Sequence, residues 1–413
     1  MDTFNNRIEV PKYSRIIPIT EIADPKNDYN LNIPRYIDSQ EPEDLQDIEA
    51  HLMGGIPTRD IDDLAKYWSV YPTLKNTLFN PSKRANYVDL SIEKEVIKNT
   101  IFQHPEFTAF SQEMNTVFEE WKTKTTTYTK ALDKGLHPKQ EIKIISENLL
   151  HQYVNRKLTD KYAMYQHIMD FWNETMQDDL YEIAADGWRA GNEVKRLTKT
   201  TKKGDKVTEK FILGIEGLEG RLIPPPLMIQ EYFAKEKKAL DDLETLLETL
   251  VANMDELREE QGGDDGLLIN AIDDKGKISQ KTLKTAFKDL GLPTPDTKDE
   301  YDMLQRYQKL MEQEANTKTK IKVAKEDLEK KVIAQYPKLN LDEIKTVVVD
   351  KKWMFSIENR IRTEMDNISH RLTQRIKELA ERYETPMPLL DKEVKALEQK
   401  VNAHLTKMGF SWN

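Results

Sequence analysis

The spacing of apolar residues between positions 240 and 257 limits what this chain can fold into more than any other feature. Leu240, Leu243, Leu247, Leu250, Met254 and Leu257 follow one another at intervals of 3, 4, 3, 4 and 3. Each pair of intervals sums to seven residues, close to two turns of α-helix, so all six side chains line one face. An apolar stripe of this kind draws its stability from packing against another element. The same rhythm returns in Ile357, Ile361, Met365, Ile368, Leu372, Leu379 and Tyr383, and again in Leu390, Val394, Leu397, Val401, Leu405 and Met408. The C-terminal half is therefore expected to be several long amphipathic helices paired as antiparallel hairpins. Leu240, Leu243, Leu247, Leu250, Met254 and Leu257 become candidates for contact with a partner helix, supplied either by this chain or by another.

The remaining sequence fits a mainly α protein with helical hairpins or a coiled-coil bundle, one small β-hairpin and an extended N-terminal segment. With 413 residues, 32% charged and only 15 glycines, the chain is richer in helix-forming residues than a typical α/β enzyme. Residues 1–40 read as extended, because Pro11, Pro18, Pro25 and Pro34 interrupt any helix, and Ile16, Ile17 and Ile19 around Pro18 suit an edge strand. Residues 41–192 read as an aromatic-rich helical domain. Residues 193–223 read as a lysine-rich β-hairpin, with Val194–Thr201 and Val207–Leu213 flanking the glycine-centred "KKGD". Residues 224–413 form the long-helix region, opened by the prolines at 224 to 226.

Cysteine is absent, which excludes disulfides, thiolate metal sites and cysteine nucleophiles and fits a reducing compartment, so a cytoplasmic location is expected. No signal segment opens the sequence, and no apolar run approaches the roughly 18 residues that span a bilayer. The net charge of −10 argues against coating nucleic acid by overall charge, so any DNA contact must be local. One stretch is suited to it. Lys195, Arg196, Lys199, Lys202, Lys203, Lys206 and Lys210 are opposed only by Asp205 and Glu209. They are candidates for contact with a phosphate backbone, or else form an exposed solubilising hairpin.

Motifs for chemistry are weak. "FNPSK", Phe79 to Lys83, resembles the Asn-Pro-Pro-aromatic loop with which adenine N6-methyltransferases hold a flipped base, but Ser82 and Lys83 replace the second proline and the stacking aromatic, so a turn is expected. "GIEGLEG", Gly214 to Gly220, matches neither glycine-rich phosphate fingerprint and reads as a tight turn. "DDKGKIS" has lysines where a calcium loop needs oxygen ligands. The seven histidines form no His-x-x-x-His or Glu-x-x-His pair. Residue chemistry nominates no catalytic, cofactor-binding or metal-ligating residue.

Longer stretches carry a resemblance. "PKYSRIIPITEIADPKNDYNLNIPRYID", "EPEDLQDIEAHLMGGIPTRDIDDLAKYW", "GIEGLEGRLIPPPLMIQEYFAKE", "EIKTVVVDKKW", "LAERYETPMPLL" and "VNAHLTKMGFSWN" occur in an order that resembles the C-terminal portion of modification (M) subunits of type I restriction-modification systems. The resemblance implies a site-specific adenine N6-methyltransferase using S-adenosylmethionine, assembled from two M subunits and one specificity (S) subunit, with a restriction subunit and DNA as further partners. The family's cofactor loop and Asn-Pro-Pro-aromatic loop belong before Pro11. The expectation is therefore a non-catalytic assembly portion that holds no cofactor itself, the methylase half being encoded separately or lost. An autonomous coiled-coil protein competing for the S subunit is the alternative.

Overall fold

A computed structural model describes the backbone of residues 2–10, 13–37, 45–203, 206–263, 265–273 and 275–409, and the side chains of these apart from 2 and 201–208. Among the described residues the protein is mainly helical, with antiparallel sheets of two or three strands. No helix among them is long and apolar enough to cross a membrane. The chain divides into two compact units: Met1–Ala65 with Asn76–Lys94 and Ile376–Asn413, and Lys66–Lys75 with Glu95–Arg375.

In the first unit the expected edge strand at Ile16–Ile19 does not form. The Ile16 N–H is taken by the Glu9 side chain at 2.9 Å, and Pro18 caps a single helical turn, Ile19–Ile22. A three-stranded sheet forms later, with β1 (Ile56–Pro57), β2 (Phe79–Pro81) and β3 (Tyr87–Leu90) in the order β1-β3-β2. The turn expected at Phe79–Lys83 thus begins later, because Phe79 is buried and pairs with Leu90 while Pro81 ends an outer strand, where its missing N–H is tolerated. The helix Ile48–Met53 starts at Asp47, whose side chain accepts from the Ala50 N–H at 2.9 Å, and stops at Gly54 with φ +80°. Tyr383, from the second long seam, pins this arrangement: its hydroxyl accepts from the Asp47 N–H and donates to the buried Asp60 carboxylate, both at 3.2 Å. Pro386 then opens the last helix, Met387–Lys407, which touches Ile48–Met53.

The second unit contains the helices Pro105–Lys130, Pro138–Gln152, Lys161–Phe171 and Gln177–Asp186, the last two joined by a π-helical turn at Trp172–Met176. Trp121, Ile145, Leu149, Met164, Ile168, Leu180 and Ile183 fill its core. A second, nine-residue π segment, Thr346–Met354, buries Val347, Val348, Val349, Trp353 and Met354 before the long helix Phe355–Arg382. In that helix Ile357, Ile361, Ile368 and Leu372 are buried and Met365 is half-buried.

The helix Ala234–Gln261 runs antiparallel to Lys298–Gln335. Ion pairs fix one end, Lys331 to Glu236 at 3.0 Å and Lys325 to Glu244 at 2.6 Å. At the other end Met254 and Leu257 pack with Leu304 and Tyr307, in a cluster shared with Leu268, Ala271, Leu283 and Ala286. Of the "DDKGKIS" segment, Asp274 lies outside the described residues, and the Asp273 carboxylate accepts from the backbone N–H groups of Lys275 and Lys277.

The lysine-rich hairpin is present, but its first expected strand is divided. β4 (Val194–Arg196) pairs with β7 (Leu218–Gly220), while β5 (Thr198–Lys203) pairs with β6 (Lys206–Phe211). Leu197 is the junction, its N–H bonding Gly217 and its carbonyl accepting from Ile212. The chain crosses itself closely here. A Cβ on Gly217 would lie 2.0 Å from the Ile212 carbonyl oxygen, and one on Gly220 2.1 Å from that of Ile223, so these two glycines of "GIEGLEG" are required by backbone approach, while the first, Gly214, takes φ +85°.

Candidate functional site

The basic candidates fall into two groups. Lys195 pairs with Glu219 across β4 and β7 at 3.0 Å, and the Arg196 guanidinium donates to the Ile212 carbonyl at 2.9 Å and to the Glu329 carboxylate. These two hold the base of the hairpin. Lys199 and Lys210 are exposed and directly opposed in the ladder. The backbone of Lys202, Lys203 and Lys206 lies in β5 and β6, and their side chains lie outside the described residues.

The helix-contact candidates are covered within the chain to different degrees. Leu240, Leu250, Met254 and Leu257 are buried, whereas Leu243 and Leu247 are half-buried. Lys298–Gln335 supplies the facing helix. The last seam is different. None of the residues of Met387–Lys407 is buried, and Leu390, Val394, Leu397 and Val401 are 43–59% exposed. The expected pairing of this helix into a long hairpin is not formed, because the helix it touches, Ile48–Met53, is only six residues long. That neighbour adds its own exposed apolar residues, Ile48, Leu52 and Met53.

A cleft of about 510 Å³ in the first unit is lined by Asp47, Glu49, Arg59, Arg84 and Tyr87, among others. Its charges are spent on one another. Arg84 pairs with Glu49 at 2.8 Å and stacks 3.8 Å from the Tyr87 ring, Arg59 lies 3.4 Å from Asp47, and Tyr87 donates to Asp47 at 3.2 Å. The Ala50 N–H, then Tyr87 and Arg59, hold the Asp47 carboxyl below its usual range despite partial desolvation. Two cations against two anions give the cleft no net field for a charged ligand.

Sequence reasoning missed one buried polar cluster. Asp179 accepts from the Lys352 ammonium at 2.7 Å and from the Trp353 indole N–H at 2.7 Å, and Lys352 also donates to the Leu222 carbonyl at 2.8 Å. Burial pushes the Asp179 carboxyl up, against the pull of these donors. Every partner is internal, so the cluster ties the helix Gln177–Asp186 to the π segment and leaves nothing for a ligand. Among the described residues no group of three or more metal-ligating side chains comes together.

Compared with protein-family models, curated proteins and solved structures, the chain matches none.

Proposed function

We propose that this chain is the assembly portion of the modification subunit of a type I adenine N6-methyltransferase, and that its last helix docks on helical surface of the specificity subunit. The observation supporting this reading is the uncovered seam of Met387–Lys407, where Leu390, Val394, Leu397 and Val401 follow heptad spacing yet stand in water. Covering the exposed halves of about six such side chains contributes roughly 5–9 kcal/mol. Association costs about 4–15 kcal/mol in lost freedom, so a single stripe is marginal. Ile48, Leu52 and Met53 on the helix it touches enlarge the apolar surface available to the same partner. In the complete complex the partners would be a second modification subunit, the restriction subunit and DNA, with S-adenosylmethionine held by the methylase half.

Co-expression with the cognate specificity subunit tests the reading. Val394→Asp with Val401→Asp is expected to abolish co-purification while leaving the melting temperature of the isolated chain unchanged, since both side chains are more than half exposed. Undiminished co-purification of the double variant would sink the proposal.

A further inference from the structure

The exposed seam of Met387–Lys407 follows a regular heptad. Met387, Val394 and Val401 lie seven residues apart, and Leu390 and Leu397 follow the first two of them by three. Methionine and valine therefore take the a positions and leucine the d positions. All five are exposed. Valine at a with leucine at d favours two parallel strands over higher assemblies. His404 takes the next d position, so the apolar run covers about two heptads. The flanking e positions hold Asp391 and Glu398, the g positions Glu393 and Lys400, and all four are exposed. In a parallel pair each g residue faces the e residue of the partner's next heptad, and these contacts select the partner. A second copy of this helix would set Glu393 against Glu398 in both directions and Lys400 against the apolar Leu405. Two like-charge contacts with no opposite-charge one work against self-pairing. An antiparallel copy, in which g faces g and e faces e, would match Glu393 to Lys400 twice but oppose Asp391 to Glu398 twice, with no net gain.

We propose that this helix pairs in parallel with one helix of a different chain, which carries lysine or arginine opposite Asp391, Glu393 and Glu398 and an acid opposite Lys400, and that the same four charges reject a second copy of this chain. The pairing rests on the docking of this helix proposed above and specifies the partner's direction and charge. Apolar contact supplies the attraction and is indifferent to which leucine-rich helix arrives. Discrimination falls to the flanking charges, where a wrong partner meets like charge at each position. These contacts stay at the rim of the pair and are partly screened by salt, so the preference should narrow as salt rises.

The test exploits the absence of cysteine from the chain. The full chain carrying His404→Cys, at an exposed position, is equilibrated in a glutathione redox buffer with synthetic peptides of about three heptads that have valine at a and leucine at d. One peptide has lysine facing Asp391, Glu393 and Glu398 and glutamate facing Lys400, and a second has these four charges reversed. Each is made with a single cysteine near its C-terminus or near its N-terminus. Mass spectrometry then reads the disulfide-linked products. The first peptide, joined through its C-terminal cysteine, is expected to exceed every other product by about tenfold or more. Asp391→Lys, Glu393→Lys and Glu398→Lys combined with Lys400→Glu should reverse the preference. That variant chain stays net negative, so a reversal cannot come from general attraction to a basic peptide. Equal yields from the two peptides, a dominant product through the N-terminal cysteine, or a disulfide-linked dimer of the chain as the main product would each overturn the pairing. Any of these results would leave the docking itself to be judged by co-purification with the specificity subunit, so the two failures remain distinguishable.

Discussion

The Tyr153 hydroxyl is buried and meets no hydrogen-bond partner, whereas the Tyr336 hydroxyl, equally enclosed, donates to the Ile223 carbonyl at 2.7 Å. The same substitution should therefore act in opposite directions. Tyr153→Phe removes an unsatisfied group and should leave stability unchanged or raise it, by up to about 1–3 kcal/mol. Tyr336→Phe strands a buried carbonyl and should destabilise by about 1–3 kcal/mol. Urea denaturation of both variants checks the pair, and a large loss in Tyr153→Phe with none in Tyr336→Phe would contradict it. Neither difference could be read from the sequence, because each depends on what stands opposite the ring. Asp179 makes the same point: in "MQDDLYE" it reads as part of a solvated acidic face, and its partners Lys352 and Trp353 are more than 170 positions away.

Elements were legible where a local period specified them. The rhythm of Leu240 to Leu257 announces the helix Ala234–Gln261, and the prolines at 224 to 226 mark the start of Pro225–Tyr232. Periodicity identifies an apolar face without saying what covers it. Hence the seams at Leu240 and at Leu390 read alike, although Leu240 is 5% exposed and Leu390 43%. The π segments at Trp172–Met176 and Thr346–Met354 left no signature, since one added residue per turn changes the hydrogen-bond pattern without disrupting a short apolar run such as Val347–Val349. The division of the expected first hairpin strand at Leu197 was hidden for another reason: it depends on Gly217 and Gly220 meeting the backbone of Ile212 and Ile223. Contrast between the two seams gives a prediction at this scale. Leu250→Asp puts a carboxylate into a buried contact and should cost several kcal/mol. Val394→Asp should cost almost nothing. Comparable losses in thermal melts of the two variants would mean that the last helix is covered in the free chain.

Across the whole molecule, buried phenols set an alkaline limit to stability. Desolvation pushes Tyr153 up to about 12 from the ordinary 10.0, with Arg156 opposing it, and also raises Tyr71 and Tyr336. A phenol whose folded value is raised stabilises fully below its unfolded value, and that stability is lost as pH rises from about 10 through the folded value. Denaturation midpoints should therefore hold to about pH 10 and fall by pH 12, and Tyr153→Phe should make the fall shallower. An identical decline in wild type and variant would remove Tyr153 from the account. The claim that the uncovered seam of Met387–Lys407 is the docking site is tested most directly by amide hydrogen exchange on the full chain, with and without the cognate specificity subunit. Slowed exchange in Met387–Lys407 and Ile48–Met53 on addition of the subunit is the predicted result. Binding that leaves exchange in both helices unchanged would contradict it.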